Sequence, residues 1–280
     1  MYKQLKFLLI SISILILIVS CNLGNSNSSG ELEQDDISEL IAEENYTNID
    51  YITDLGLMRG HLIAATELLD TGSPAQAQHH LYHPLEELYD LVEPTLQKQG
   101  IDTEKFRKSL DKLYDTARFE PYSQARKDRL SEAVENIQSA IDAFFDKNPQ
   151  SPEFVEKVFV RILETSAEEY GAGIGVNCKI IAPIEYQDSY GFVRYVEEVV
   201  TEGSKARWVS DGTRQKFQPI VQKFLLAWSP DEPPKNTSNN NPDCSVLLSS
   251  KGNQASVYPP EYPVMTGEEV SSLVKNISIQ

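Results

Sequence analysis

The sequence is poor in the groups that announce an enzyme. It has no Gly-x-Ser-x-Gly elbow, no P-loop, no dinucleotide-binding glycine fingerprint and no His-Glu-x-x-His pair. A di-iron oxidase would need Glu-x-x-His on two helices, and no glutamate stands three residues before any histidine. Cysteine occurs three times in 280 residues and never as Cys-x-x-Cys or Cys-x-x-Cys-His, which disfavours thioredoxin-like chemistry and covalent c-type haem. Positive charge is scarce: 25 Lys and Arg face 42 Asp and Glu, for a net charge of −17. With no basic cluster, nucleic acid is not an expected partner. Such a surface attracts cations without selecting among them, so acidity alone identifies no metal site. Catalysis is therefore not expected.

Long apolar runs are equally rare. The exception is residues 7–19, broken only by Ser11 and Ser13 and preceded by Lys3 and Lys6. It is short for a helix that must cross about 30 Å of hydrocarbon, which takes roughly 20 residues. The segment that follows, Ile18-Val19-Ser20-Cys21, resembles the lipobox of bacterial lipoproteins. That resemblance implies cleavage before Cys21, lipid on that cysteine, and a chain held to a membrane facing the periplasm or the cell exterior. An uncleaved N-terminal anchor is the alternative. Residues 1–20 are then a signal peptide and residues 21–44 a lipid-anchored linker. The linker opens on Asn-Leu-Gly-Asn-Ser-Asn-Ser-Ser-Gly, too polar to offset its ordering entropy by burial. With Cys21 lipidated, Cys178 and Cys244 remain as an even pair in a disulfide-permissive compartment. A bond between them would tie the C-terminal tail to the last helical region; two unpaired thiols are the alternative.

From residue 45 to residue 228 the apolar pattern is helical nearly throughout, and predicts a mainly α bundle of about six to eight helices. Residues 51–69 place Ile52, Leu55, Leu62, Ala65 and Leu69 mostly at three- and four-residue steps, and Gly72 supplies a left-handed stop. Ser73-Pro74 reads as N-cap and first helical position of a short helix. Pro84 is expected to block or kink it, before a further amphipathic stretch through Leu96. Two more helices are predicted over residues 103–116 and 122–145. Asn148-Pro149 divides the chain into two helical groups able to share one core, and Ser151-Pro152 opens the next helix. Glycines at 171, 173 and 175 predict a loop or short hairpin before helices near residues 184–200 and 213–228. Residues 229–280 have linker composition and are expected to be irregular.

All four histidines fall within 23 residues of the 280: His61, His79, His80 and His83. Neutral imidazole is a borderline-soft nitrogen ligand that titrates near physiological pH, which suits transition metals. On a helix His79 and His83 are four apart and His80 and His83 three apart, so either pair can meet on one face. Glu86 and Glu87 follow His83 in register, although Pro84 disturbs the intervening turn. An antiparallel pairing of the first two helices brings His61 opposite, with Gly60 leaving backbone room. Histidines also cap helices or hydrogen-bond within cores, and adjacency alone is weak evidence of ligation. The candidate ligands are His61, His79, His80, His83, Glu86 and Glu87.

A second stretch joins Glu168-Glu169-Tyr170, a glycine-containing loop, and Glu185-Tyr186-Gln187-Asp188 followed by aromatics. Glu185, Tyr186 and Asp188 offer hard oxygen ligands and are secondary candidates; aromatic packing and a solvated acidic face are the plain alternative. This stretch resembles the extracytoplasmic helical segment of bacterial ferrous-iron permeases. The permease's transmembrane helices and Arg-Glu-x-x-Glu motif are missing, so this chain is not itself the channel. Gly60-His61-Leu62 and His83-Pro84-Leu85-Glu86 are also similar to the histidine-carboxylate helices of imelysin-like periplasmic proteins. The Gly-x-His-x-x-Glu motif of that family is not reproduced, so ligand roles carry over only to His83 and Glu86.

The function expected from these readings is an exported, membrane-anchored lipoprotein that binds a transition metal, iron favoured, in metal uptake or homeostasis. Noncovalent haem is a variant. Its partners would be the membrane, through the N-terminal lipid, and a metal transporter or envelope protein. A non-catalytic structural or interaction lipoprotein of the cell envelope is the alternative.

Overall fold

In a computed structural model, residues 46–176, 178–202, 206–229, 254–260 and 263–277 are described. The leader, Cys21, the linker and Cys244 lie outside them. The first helix, α1 (Asn48–Asp70), begins at a capping box in which Thr47 Oγ1 accepts from the Asp50 backbone and Asp50 accepts from the Thr47 N–H. Tyr51, Leu55, Met58, Leu62, Ala65 and Leu69 face one side, yet Leu57, Ala64 and Leu68 are buried as well. Apolar burial on every side makes α1 the central rod of the bundle.

Gly72, at φ +89°, turns the chain into α2 (Pro74–His83). Ser73 stands at the N-cap as expected, but its hydroxyl pairs with Tyr258 Oη at 2.9 Å instead of capping the helix. Pro84 does not stop the rod. A π-helical segment, Pro84–Leu88, continues directly into α3 (Tyr89–Lys98). The reason is local: proline offers no N–H to the carbonyl four residues back, and a wider turn changes which donors that carbonyl meets. Next come α4 (Thr103–Phe119) and α5 (Gln124–Lys147), capped by Asp102 and Ser123.

Beyond Pro149, Ser151 caps α6 (Pro152–Ala172), accepting from the Phe154 N–H at 3.3 Å. The glycine-bearing connection is a short hairpin closed by one antiparallel bridge, Ile174 to Ile180. Cys178, at φ +61°, is disulfide-bonded within it; Cys244, the partner expected from the sequence, is outside the described residues. Then follow α7 (Pro183–Thr201), α8 (Asp211–Leu225) and a 3-10 turn, Leu226–Trp228. The tail is not wholly irregular: Gly267–Ile277 forms α9, which packs on α6 and α8 through Val270, Val274 and Ile277. Buried Tyr170 secures the approach to α9 by donating its hydroxyl to the Met265 carbonyl at 2.9 Å.

The two helical groups on either side of Pro149 share a single hydrophobic core. The central rod joins them, because α1 packs against α2 and α5 from one group and α6 and α7 from the other. No helix among the described residues is long and apolar enough to cross a membrane.

Candidate metal centre

Two glycines decide where α1 and α7 meet. A Cβ on Gly191 would lie 2.3 Å from the Gly60 carbonyl oxygen, and one on Gly60 would lie 2.6 Å from Phe192 Cδ1. The backbones therefore touch, which only residues without side chains permit. His61 follows Gly60 directly, and Asp188 lies three residues before Gly191 on the same face of α7. Their contact is a consequence: His61 Nδ1 is 2.6 Å from Asp188 Oδ1.

From the other side α2 contributes two rings. His80 Nδ1 is 2.7 Å from the same oxygen, and His83 Nδ1 is 3.1 Å from Oδ2. The ring centroids of His61 and His83 are 5.0 Å apart, and those of His80 and His83 5.9 Å, all nearly edge-to-face. Phe192 packs edge-on to His61 at 4.9 Å and closes the apolar wall. One ligand atom from each of His61, His80, His83 and Asp188 lies within 4.8 Å of all the others. The four residues are between 0 and 5 % exposed.

Burial holds the His61 imidazole below its usual range despite the adjacent carboxylate. The same burial would raise Asp188. The His61 charge interaction and hydrogen bonds from all three imidazoles outweigh it, and keep the carboxyl well below its usual range. A carboxylate is thus held ionised in the interior beside three imidazoles. Such a group is costly to bury unless it is neutralised nearby.

His80 sharpens the point. Gln187 turns its carbonyl oxygen to His80 Nε2 at 2.9 Å, while its amide donates to Gln76 Oε1 at 2.9 Å. A proton on Nε2 leaves a lone pair on Nδ1, aimed at a carboxylate oxygen. Two acceptors 2.7 Å apart need a positive centre between them, either a second proton or a cation. The donor set fits a metal ion: three imidazole nitrogens and one carboxylate, with the outer nitrogen of His80 tied to a carbonyl as in metal-ligating histidines.

Not every candidate converges. His79 is exposed, because one residue along a helix is a rotation of about 100° and His80 occupies the inward position. Glu86 is likewise exposed on the π-helical segment, outside the cluster. Glu87 comes only to 4.0 Å from His83 Nε2, on the solvent side. Glu185 is half-buried elsewhere on α7. Tyr186 is buried against Tyr170 and Trp228, away from the four ligands. Gln187 and Gln76 carried no sequence signal of their own. Asp188 did carry one: with Phe192, Tyr195 and Val199 it occupies the apolar register of α7, where an acid has no solvent.

Residues 146–236 match the iron permease-associated 4-helix bundle domain. The match covers about a third of the chain and contains the stretch whose likeness to ferrous-iron permeases was read from the sequence. It contains Gln187 and Asp188 but none of the histidines, which α1 and α2 bring from outside it. No curated protein and no solved structure matches the chain.

Proposed function

We propose that the chain is a membrane-anchored extracytoplasmic protein that binds one transition-metal ion, iron favoured, through His61, His80, His83 and Asp188, and serves metal uptake or homeostasis. One observation carries this reading: three imidazoles and an ionised carboxylate, on three different helices, meet at one buried point. The match to the iron permease-associated domain favours iron as the cargo and a metal transporter as the partner. The lipobox-like leader supports attachment through lipid on Cys21, with residues 21–44 as the linker. By the Irving–Williams order, such a donor set takes Cu²⁺ or Zn²⁺ more tightly than Fe²⁺, so iron occupancy depends on supply.

A second reading has its own observation. Asp188 receives His61 and His80 at hydrogen-bond distance, so protons alone can satisfy the network as a structural core of an interaction protein. Metal analysis of the natively purified chain, followed by anaerobic Fe²⁺ and Zn²⁺ titration, separates the two. One ion per chain, lost in His80→Ala and Asp188→Asn but kept in His79→Ala, supports the metal reading. A folded wild type that binds neither ion supports the structural one. Acyl labelling that disappears in Cys21→Ala tests the anchor.

A further inference from the structure

The four ligands are nearly sealed, so any ion must have a way in. Among the described residues, His83 is the ring of the three with a carboxylate on each side. Its Nδ1 is 3.1 Å from Asp188 Oδ2 in the interior, and its Nε2 is 4.0 Å from Glu87 Oε1. The His83 side chain is 6 % exposed and that of Glu87 is 35 % exposed, so the ring spans the layer between centre and solvent. Both residues border or belong to the π-helical segment. There Pro84 deprives the His80 carbonyl of its ordinary helical donor, making this the least regular turn of the α2–α3 rod. Short π-helical insertions of this kind are frequent at functional sites.

We propose that Glu87 and His83 Nε2 form an outer station where a divalent cation is received before it passes to the buried ligands. This rests on the metal reading above. The outer pair combines one carboxylate oxygen and one imidazole nitrogen, enough to replace part of a hydrated ion's shell but too few to retain it. The ring then offers its other nitrogen to the interior, and yielding of the π turn opens the seam between α2 and α7. Glu86, adjacent and exposed, carries the same charge without an imidazole partner at this distance, and is the natural control.

Stopped-flow uptake of Co²⁺ by the full mature chain tests the proposal, with release followed by chelator challenge. Relative to wild type, Glu87→Gln should slow both uptake and release by about 10-fold or more, the scale on which a local charge steers an ion, and leave affinity within about twofold. Glu86→Gln should stay within about twofold in both rates. Unchanged rates in Glu87→Gln, or equal slowing in both variants, overturns the outer station while the buried site stands. So does a loss of affinity with faster release, which would make Glu87 a permanent ligand. A wild type that binds no Co²⁺ sinks the buried site and this station together.

Discussion

Gly191 and Gly60 touch so closely that a methyl group on the first would lie 2.3 Å from the carbonyl oxygen of the second. That contact sets the separation of α1 and α7, and so the reach from His61 to Asp188. Gly191→Ala must push the helices apart. The expected cost is about 1–3 kcal/mol, the range for overpacking a tight core. Metal binding should fall further than stability does, because the displaced helices each carry a ligand. Denaturant unfolding and metal titration of the same sample give both numbers.

Asp188→Asn keeps the shape of the side chain and removes its charge. Three ring nitrogens then face a group that can accept fewer bonds and balances no cation. A loss of roughly 3 kcal/mol is expected, from buried polar groups left unsatisfied at about 1–3 kcal/mol each. His79→Ala, at an exposed position on the same helix as His80, should stay within about 0.5 kcal/mol. Equal destabilisation by both would remove Asp188 from the centre of the network.

The His61 ring gives the metal-free chain a pH dependence. Burial lowers its proton affinity in the folded state, while the unfolded residue titrates near 6.5. Below that pH the unfolded chain binds more protons, so the His61 contribution is complete above 6.5 and is lost as pH falls toward the folded value. Asp188 also contributes in this direction, but only below about pH 5, where an unperturbed carboxyl begins to protonate. Between pH 5 and 7, wild type should therefore lose stability on acidification more steeply than His61→Asn, by at most about 1.4 kcal/mol per pH unit. Parallel denaturation curves across that range would show that His61 titrates normally.

Asp54 titrates with the opposite sign. Burial, with Asp50 adding to it, pushes its carboxyl up to about 6 from 3.8, against the bond from Tyr46 and the charge of Arg161. Between those values the folded state holds the extra proton, so stability declines as pH rises through the window. Asp54→Asn still accepts from Tyr46 and carries no charge. It should stabilise the chain above pH 6 by up to about 3 kcal/mol, and the gain should vanish below about pH 4. Thermal melts at pH 4 and pH 8 compare the two regimes; a gain of the same size at both would contradict the buried-charge explanation.

Much of the bundle was legible along the chain because helix boundaries are local matters. Ser151-Pro152, Gly72 and the break at Pro149 act through the backbone of their own few residues, and periodic leucines mark which stretches have a face to bury. Pro84 shows the limit of local reading. A proline expected to block or kink a helix instead opens a π-helical segment, Pro84–Leu88, through which α2 runs into α3 without a break. The tail shows it again, where composition suggested irregular chain and α9 found a surface on α6 and α8.

The sequence by itself determined that this chain is helical, acidic and rich in imidazole at one place only. It did not determine which imidazoles share a centre, since His79 and His80 are equivalent in composition and differ by one step of helical rotation. Nor did it single out Asp188 as their partner, 105 residues beyond His83. Only the tertiary structure decided those questions, because the direction of a side chain follows from which face of its helix is buried. Here the backbone contact at Gly60 and Gly191 chose that face for α1 and α7 together.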